Sequence, residues 1–177
     1  MFFSGSAAPV YAAEPPVPAF GSGPVQVRIY TDYFCEPCRA EETEVMALLT
    51  KLVEKNLIRV TFIDTPIHQE MVLYAGYFLA MVNTKREFSQ AVAARAALFE
   101  AAEKMIREKE AMEAFLKKKG LPFYLLFDTA SVFKIFGNYI KEDRINSTPT
   151  CVIVGPKGKQ VLNGSNAIPQ ALRSLLK

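Results

Sequence analysis

The sequence has no long uncharged apolar run, no strong excess of one charge and few of the residues that build metal centres. It holds three cysteines and a single histidine, His68, in 177 residues. Its longest uncharged apolar stretch, Met71 to Val82, falls well short of the roughly 20 residues that a membrane-crossing helix needs. Lysine and arginine total 21 against 18 acidic residues, a net charge of +3. That field is too weak to expect nucleic acid or an anionic membrane as a partner. There is no Walker loop, no glycine-rich dinucleotide fingerprint and no His-Glu-X-X-His, so the chemistries those motifs carry are set aside. The run Lys117-Lys118-Lys119 before Gly120 reads as the basic end of a helix.

What is present begins with a core. Half the residues are hydrophobic, enough at this length for one domain rather than two. Residues 1–23 differ, being rich in Ala, Pro, Gly and Ser with one charge, Glu14, and such a composition reads as unstructured. Within this stretch Val10-Tyr11-Ala12 followed by Ala13 has the small-residue form of a signal-peptidase site. Residues 1–24 are therefore expected to be a disordered leader or the remnant of an export signal. The protein is expected in the periplasm or otherwise outside the cytoplasm.

Gln26 to Tyr30 alternates in character and is β-branched or aromatic where a strand favours it. From Glu36 to Asn56, Val45, Leu48, Leu49, Leu52 and Val53 recur at helical spacing with charged residues on the other faces, the pattern of an amphipathic helix. Ile58 to Asp64 reads as a second strand, and its return across the helix makes a βαβ unit with parallel strands. A long helical block follows from about His68 to Lys141, interrupted near Asn83 and at Gly120-Leu121-Pro122. Tyr74, Tyr77, Phe78, Phe88 and Phe99 are expected in its core, and Asp128 as the N-cap of its last helix. Thr150 to Val154 is a further strand, Gln160 to Leu162 its hairpin partner and Ile168 to Leu176 a closing helix.

Two cysteines are spaced Cys35-Glu36-Pro37-Cys38 at the junction of the first strand and its helix, the placement of a redox pair. At a helix N-terminus, unpaired N–H groups and the helix dipole stabilise a thiolate, which is the attacking species. Cys38, one turn in, lies close enough to resolve the mixed disulfide that follows. Pro37 fits the first turn, where its missing N–H would have had no partner. Three other readings stay open on these residues: half of a zinc site, which would need Cys151 and His68 from far off in sequence; a structural disulfide without turnover; and copper handling by two thiols with a Met or His. Cys151 lies in an expected buried strand, where a free cysteine behaves as a small hydrophobe. His68, on the loop leaving the second strand, is assigned to the start of the next helix or to surface hydrogen bonding.

Asp32-Tyr33-Phe34-Cys35-Glu36-Pro37-Cys38 resembles the Asp-aromatic-X-Cys-X-X-Cys segment of DsbA-like proteins. Asn146-Ser147-Thr148-Pro149-Thr150, ahead of an apolar strand, resembles the loop that carries the cis-proline of thioredoxin-fold enzymes. The interval between the motifs is too long for plain thioredoxin and suits the DsbA class, whose helical domain is inserted there. The resemblance implies an α/β thioredoxin fold with its core over residues 25–65 and 147–177. A helical domain over 66–146 is inserted between the second and third core strands. By resemblance, Cys35 is the nucleophile, Cys38 the resolving thiol, Pro149 the cis residue packed against the pair, and Thr148 a source of backbone groups for an extended substrate segment.

The function so implied is a thiol:disulfide oxidoreductase that donates the Cys35–Cys38 disulfide to reduced or misfolded client proteins. Re-oxidation comes from a membrane quinone-linked partner of the DsbB or vitamin K epoxide reductase type. A monomer without cofactor or metal is expected. The alternatives are a reductase or isomerase on the same fold and a non-catalytic chaperone that holds metal with the two thiols. Two departures from the family pattern matter. Ile29 stands where many members have a buried carboxylate, six residues before the first cysteine. Glu36-Pro37 stands where strong oxidants often have Pro-His, and Cys-Glu-Pro-Cys also occurs in membrane-tethered reductants of cytochrome maturation. Glu36 and Pro37 are therefore the expected tuning residues. A carboxylate beside the nucleophile disfavours the thiolate, which belongs to the reduced protein, so the potential moves toward the reducing side.

Overall fold

The computed structural model describes residues 17–124, 129–164 and 166–177. The expected peptidase site at Val10 to Ala13 and the expected cap Asp128 lie outside the described residues. Strands β1 (Ala19–Phe20), β2 (Val25–Thr31), β3 (Ile58–Asp64), β4 (Thr150–Gly155) and β5 (Gly158–Asn163) form one sheet in the order β1-β3-β2-β4-β5. β2 and β3 run parallel, with Ile29 opposite Phe62 and Thr31 opposite Asp64. The other pairings are antiparallel. Parallel neighbours need a crossover, and α1 (Glu36–Glu54) is that crossover.

Helix α1 starts where Cys35 caps it and Pro37 occupies its first turn. It ends at Asn56, whose φ of 53° turns the chain in the left-handed region, with Leu57 N–H bonded back to Leu52 O at 3.0 Å. That is a Schellman closure with asparagine in the place glycine usually takes. Four helices lie between β3 and β4: α2 (Met71–Thr84), α3 (Phe88–Glu103), α4 (Lys109–Lys118) and α5 (Thr129–Asp143). α6 (Ala167–Ser174) follows β5 and packs on α1.

The alternation of β2 divides the helices between two layers. Thr31 faces α1 and α3, where the Arg95 guanidinium reaches its hydroxyl at 3.2 Å. Arg28 and Tyr30 face α5. Tyr30 OH donates to Asp143, Arg28 lies 2.9 Å from the same carboxylate, and Lys159 of β5 adds a third donor at 2.7 Å. Burial works against the Asp143 charge, but these hydrogen bonds outweigh it and hold the carboxyl below its ordinary range. Helix α5, the last of the four, is thus strapped to the sheet rather than held away from it.

Two expectations are corrected. The expectation of an unstructured stretch through residue 24 does not hold for its last part, because Ala19 and Phe20 pair antiparallel with Thr61 and Val60. Phe20 is the reason: it is 4 % exposed and packs its ring on Phe62 and Phe88, one apolar anchor in a stretch whose average composition conceals it. Gly23 then passes so close to the start of β3 that a Cβ would lie 2.1 Å from the Ile58 backbone nitrogen. The helical block also has a break at residues 104–108 that no glycine or proline announces. There Met105 takes φ 55°, Tyr74 OH donates to Ile106 O at 2.7 Å and Arg107 pairs with Glu70, so tertiary contacts make the turn.

Arg95, fully buried, joins the layers. It makes two 2.7 Å bonds to the Glu42 carboxylate of α1, and its guanidinium lies over the Phe62 ring at 4.6 Å. Removing one member of such a pair strands a buried charge, at a cost of about 3–5 kcal/mol. Arg95→Met is expected to lower unfolding free energy by about that amount in urea titration, and Arg95→Met with Glu42→Leu to recover most of it.

Candidate active site

The ends of β2 and β3 meet the start of α1. After Thr31 the chain turns on Asp32: Phe34 N–H donates to Asp32 Oδ1 at 2.8 Å, and Cys35 N–H donates to Asp32 O at 3.1 Å. This aspartate turn sets Cys35 as the N-cap, with Cys38 N–H donating to its sulfur at 3.4 Å. Cys35 is half-buried, Glu36 and Pro37 are exposed, and Cys38 is fully buried. All three cysteines are free thiols.

From the far end of the sequence, Thr148 and Pro149 arrive beside them. Cys35 Sγ lies 3.5 Å from Thr148 O, to which it donates, and the Thr148–Pro149 peptide is cis. The loop is pinned by Thr150, whose Oγ1 lies 2.7 Å from both Ser147 O and Asn163 Oδ1, and by Gly164 N–H on Pro149 O. Burial pushes the Cys38 thiol far up from its ordinary range. The Asp32 backbone N–H and Thr148 pull it down, and Cys35 pushes it further up. Cys38 therefore keeps its proton while Cys35, at the helix terminus, meets solvent. Cys151 is also pushed well up, by burial and then by the Glu41 charge. Among the described residues no group of three or more His, Cys, Asp or Glu is placed to hold a metal.

Beneath the turn lies a set of buried acids. Asp64 is fully buried, neither of its oxygens has a hydrogen-bond partner, and the same is true of the Tyr33 hydroxyl. Burial raises Asp64 to about 7, against the pull of Arg95. Glu41, 8 % exposed with Oε2 unpartnered, is raised to about 7 by burial and by Glu42. It shares a face of α1 with Cys38, three residues earlier. His68, expected at the start of the next helix or in surface hydrogen bonding, is exposed just ahead of α2 and donates from Nδ1 to the buried Asp32 carboxylate at 2.9 Å.

The thioredoxin family profile matches residues 21–168. The chain belongs to the thioredoxin family. No curated protein sequence matches it. Solved structures share the thioredoxin fold at low identity. A periplasmic thioredoxin-like protein from Salmonella enterica serovar Typhimurium is 18 % identical with TM-score 0.68, over 93 % of this chain and 90 % of that one. The catalytic domain of Proteus mirabilis ScsC is 17 % identical with TM-score 0.69, over 93 % and 92 %. A variant of α-DsbA1 from Wolbachia pipientis is 13 % identical with TM-score 0.63, over 92 % and 90 %. The α/β thioredoxin fold with helices between the second and third core strands is the expected one.

The structure brings Cys35, Cys38, Thr148 and Pro149 together, with Glu36 and Pro37 on the exposed first turn. Sequence reasoning passed over Asp32 and His68 as a pair, and Glu41, Asp64 and Arg95 altogether. The available signal was a charged residue where the apolar pattern calls for core: Arg95 sits on the buried stripe of Ala91, Ala94 and Leu98.

A carboxyl raised on folding stabilises the protein fully only below its unfolded pKa, and that contribution is lost as pH rises through the folded value. For Asp64 and Glu41 the window runs from about 4 to about 7. Each is expected to cost about 1.4 kcal/mol of stability per pH unit across that window. Urea titrations between pH 5 and 7 should show a slope that Asp64→Asn reduces by one proton and Asp64→Asn with Glu41→Gln by two.

Proposed function

We propose that this thioredoxin-family protein is a thiol:disulfide oxidoreductase that donates a Cys35–Cys38 disulfide to reduced client proteins outside the cytoplasm. The observation that carries the reading is the asymmetry of the pair: a half-exposed Cys35 at the N-cap of α1, 3.5 Å from the Thr148 carbonyl, over a fully buried Cys38. A client thiolate attacks Cys35 Sγ of the disulfide, the Cys35–Cys38 bond breaks, and Cys38 leaves as a thiolate that takes up a proton. The client's second thiol then gives up its proton and attacks the client sulfur of the mixed disulfide, releasing Cys35 as a thiolate. Two electrons and, once Cys35 is protonated, two protons pass from client to protein, leaving a client disulfide and a protein dithiol.

Thr148 and Pro149, beside Cys35, are assigned to binding an extended client segment, and Ile67 and Val72, on either side of His68 in sequence, are exposed apolar side chains. The periplasmic relative from Salmonella supports a place outside the cytoplasm. Re-oxidation is assigned to a membrane quinone-linked partner of the DsbB or vitamin K epoxide reductase type. No helix among the described residues is long and apolar enough to cross a membrane. One observation favours a second reading, reductase or isomerase: Glu36 is the first residue of α1 and follows Cys35 directly, which weighs against the reduced form.

Oxidative refolding of a reduced client, run beside insulin reduction, separates these readings: donation accelerates the first and a reductase the second. Cys38→Ser is expected to accumulate mixed disulfides with clients and Cys35→Ser to form none; the reverse pattern would exchange the two roles. Glu36→His is expected to shift the glutathione equilibrium about tenfold toward the dithiol, equivalent to about 30 mV for a two-electron couple. An unchanged equilibrium would show Glu36 solvated away from the sulfur.

A further inference from the structure

We infer that His68 is a positioning residue for the redox pair, acting through Asp32, which it holds by side chain and backbone together. The inference rests on the reading of Cys35 and Cys38 as an exchanging pair. Asp32 is fully buried, and a buried carboxylate is tolerable only with its lone pairs occupied. Its Oδ1 accepts from Phe34 N–H at 2.8 Å, and its Oδ2 accepts both from His68 N–H at 3.0 Å and from His68 Nδ1 at 2.9 Å. Two of three donors thus come from one residue on another loop, 36 positions away. To donate, Nδ1 carries a proton, as it does in the imidazolium and in one neutral tautomer.

The main chain of Asp32 faces the other way, onto chemistry. Its carbonyl accepts the Cys35 N–H at 3.1 Å. One residue therefore holds Cys35 with its backbone and His68 with its side chain. His68 is held in turn against Phe34, ring centroids 5.9 Å apart, and Phe34 stands edge-on to Tyr74 at 4.9 Å. The imidazole remains 47 % exposed, so it bridges solvent and the buried carboxylate.

Losing the imidazole has two effects with one sign. The Asp32 carboxylate loses a charge-assisted bond and stands less compensated beside a turn that carries a thiolate in the reduced protein. The turn that holds the Cys35 N–H on the Asp32 carbonyl loses its anchor. Both act on the dithiol form more than on the uncharged disulfide. A purely structural histidine would weaken both redox forms alike and leave their equilibrium where it was.

The full-length protein equilibrated with reduced and oxidised glutathione tests this, with unfolding of each redox form measured alongside. His68→Leu is expected to move the equilibrium about tenfold toward the disulfide, the scale of a charge-assisted bond lost from one form only. His68→Asn, whose amide nitrogen can take the place of Nδ1, is expected to stay within about threefold of the parent. In an Asp32→Asn background the further effect of His68→Leu should fall below about twofold, because residues acting through one another are not additive. If His68→Leu does not fold, His68→Gln, which offsets the amide by a methylene, serves in its place and should lie between the parent and a full loss.

An unchanged equilibrium in the folded leucine or glutamine variant overturns the role of His68, as does an undiminished effect in the Asp32→Asn background. A parent protein that shows no exchange with glutathione at all overturns instead the redox reading on which the inference rests.

Discussion

Parallel pairing of β2 with β3 is the constraint on which the rest depends. It sends the C-terminal ends of both strands to the same edge of the sheet, Thr31 beside Asp64, so whatever follows each strand must meet there. After β2 comes the turn that carries Cys35, and the crossover helix has to begin at that point to return the chain to the start of β3. After β3 comes the loop that carries His68. The meeting of Asp32 with His68 is thus a product of topology, set once the two strands lie side by side. The antiparallel addition of β4 on the other flank of β2, with Thr150 opposite Tyr30, brings Thr148 and Pro149 to the same edge. Three chain segments distant in sequence converge because β2 and β3 end where β4 begins.

Around this edge the protein buries charge on unequal terms. Arg95 and Asp143 are each met by several partners and join layers that hydrophobic contact alone would leave free to slide. Asp32 is met by three donors. Oε2 of Glu41 and both oxygens of Asp64 are met by none, and burial raises both carboxyls to about 7. At such a burden beneath Cys35 and Cys38 the fold departs from the best-packed solution.

Much of this was legible in the sequence, for definite reasons. The strands Val25–Thr31 and Ile58–Asp64 and the helix Glu36–Glu54 carry periodic patterns over many residues, which propensity and burial both favour. The cysteine spacing and Thr148-Pro149 are short and chemically distinctive. What stayed hidden depends on contacts between distant residues. Phe20 could not be told from the rest of a Pro- and Gly-rich leader without Phe62 and Phe88 to receive it. The break at Met105 has no local breaker and is made by Tyr74 and Arg107. His68 looks like any polar residue opening a helix until Asp32, 36 residues earlier, is placed opposite it. A buried arginine among alanines is a visible anomaly, but its partner Glu42 lies 53 positions away.

Cys151 has a use outside redox chemistry. It sits in β4 with Ile29 on one side and Leu162 on the other, fully buried and with its proton held tightly by that burial. A thiol reagent can reach it only when the packing around β4 opens, whereas Cys35 is partly exposed in the closed molecule. In a variant lacking Cys35 and Cys38, the rate at which Cys151 is labelled becomes a clock for that local opening, reading the same local unfolding free energy that amide hydrogen exchange reports. The molecule carries its own probe of breathing at the strand that delivers Pro149, and the probe needs no engineering to be installed.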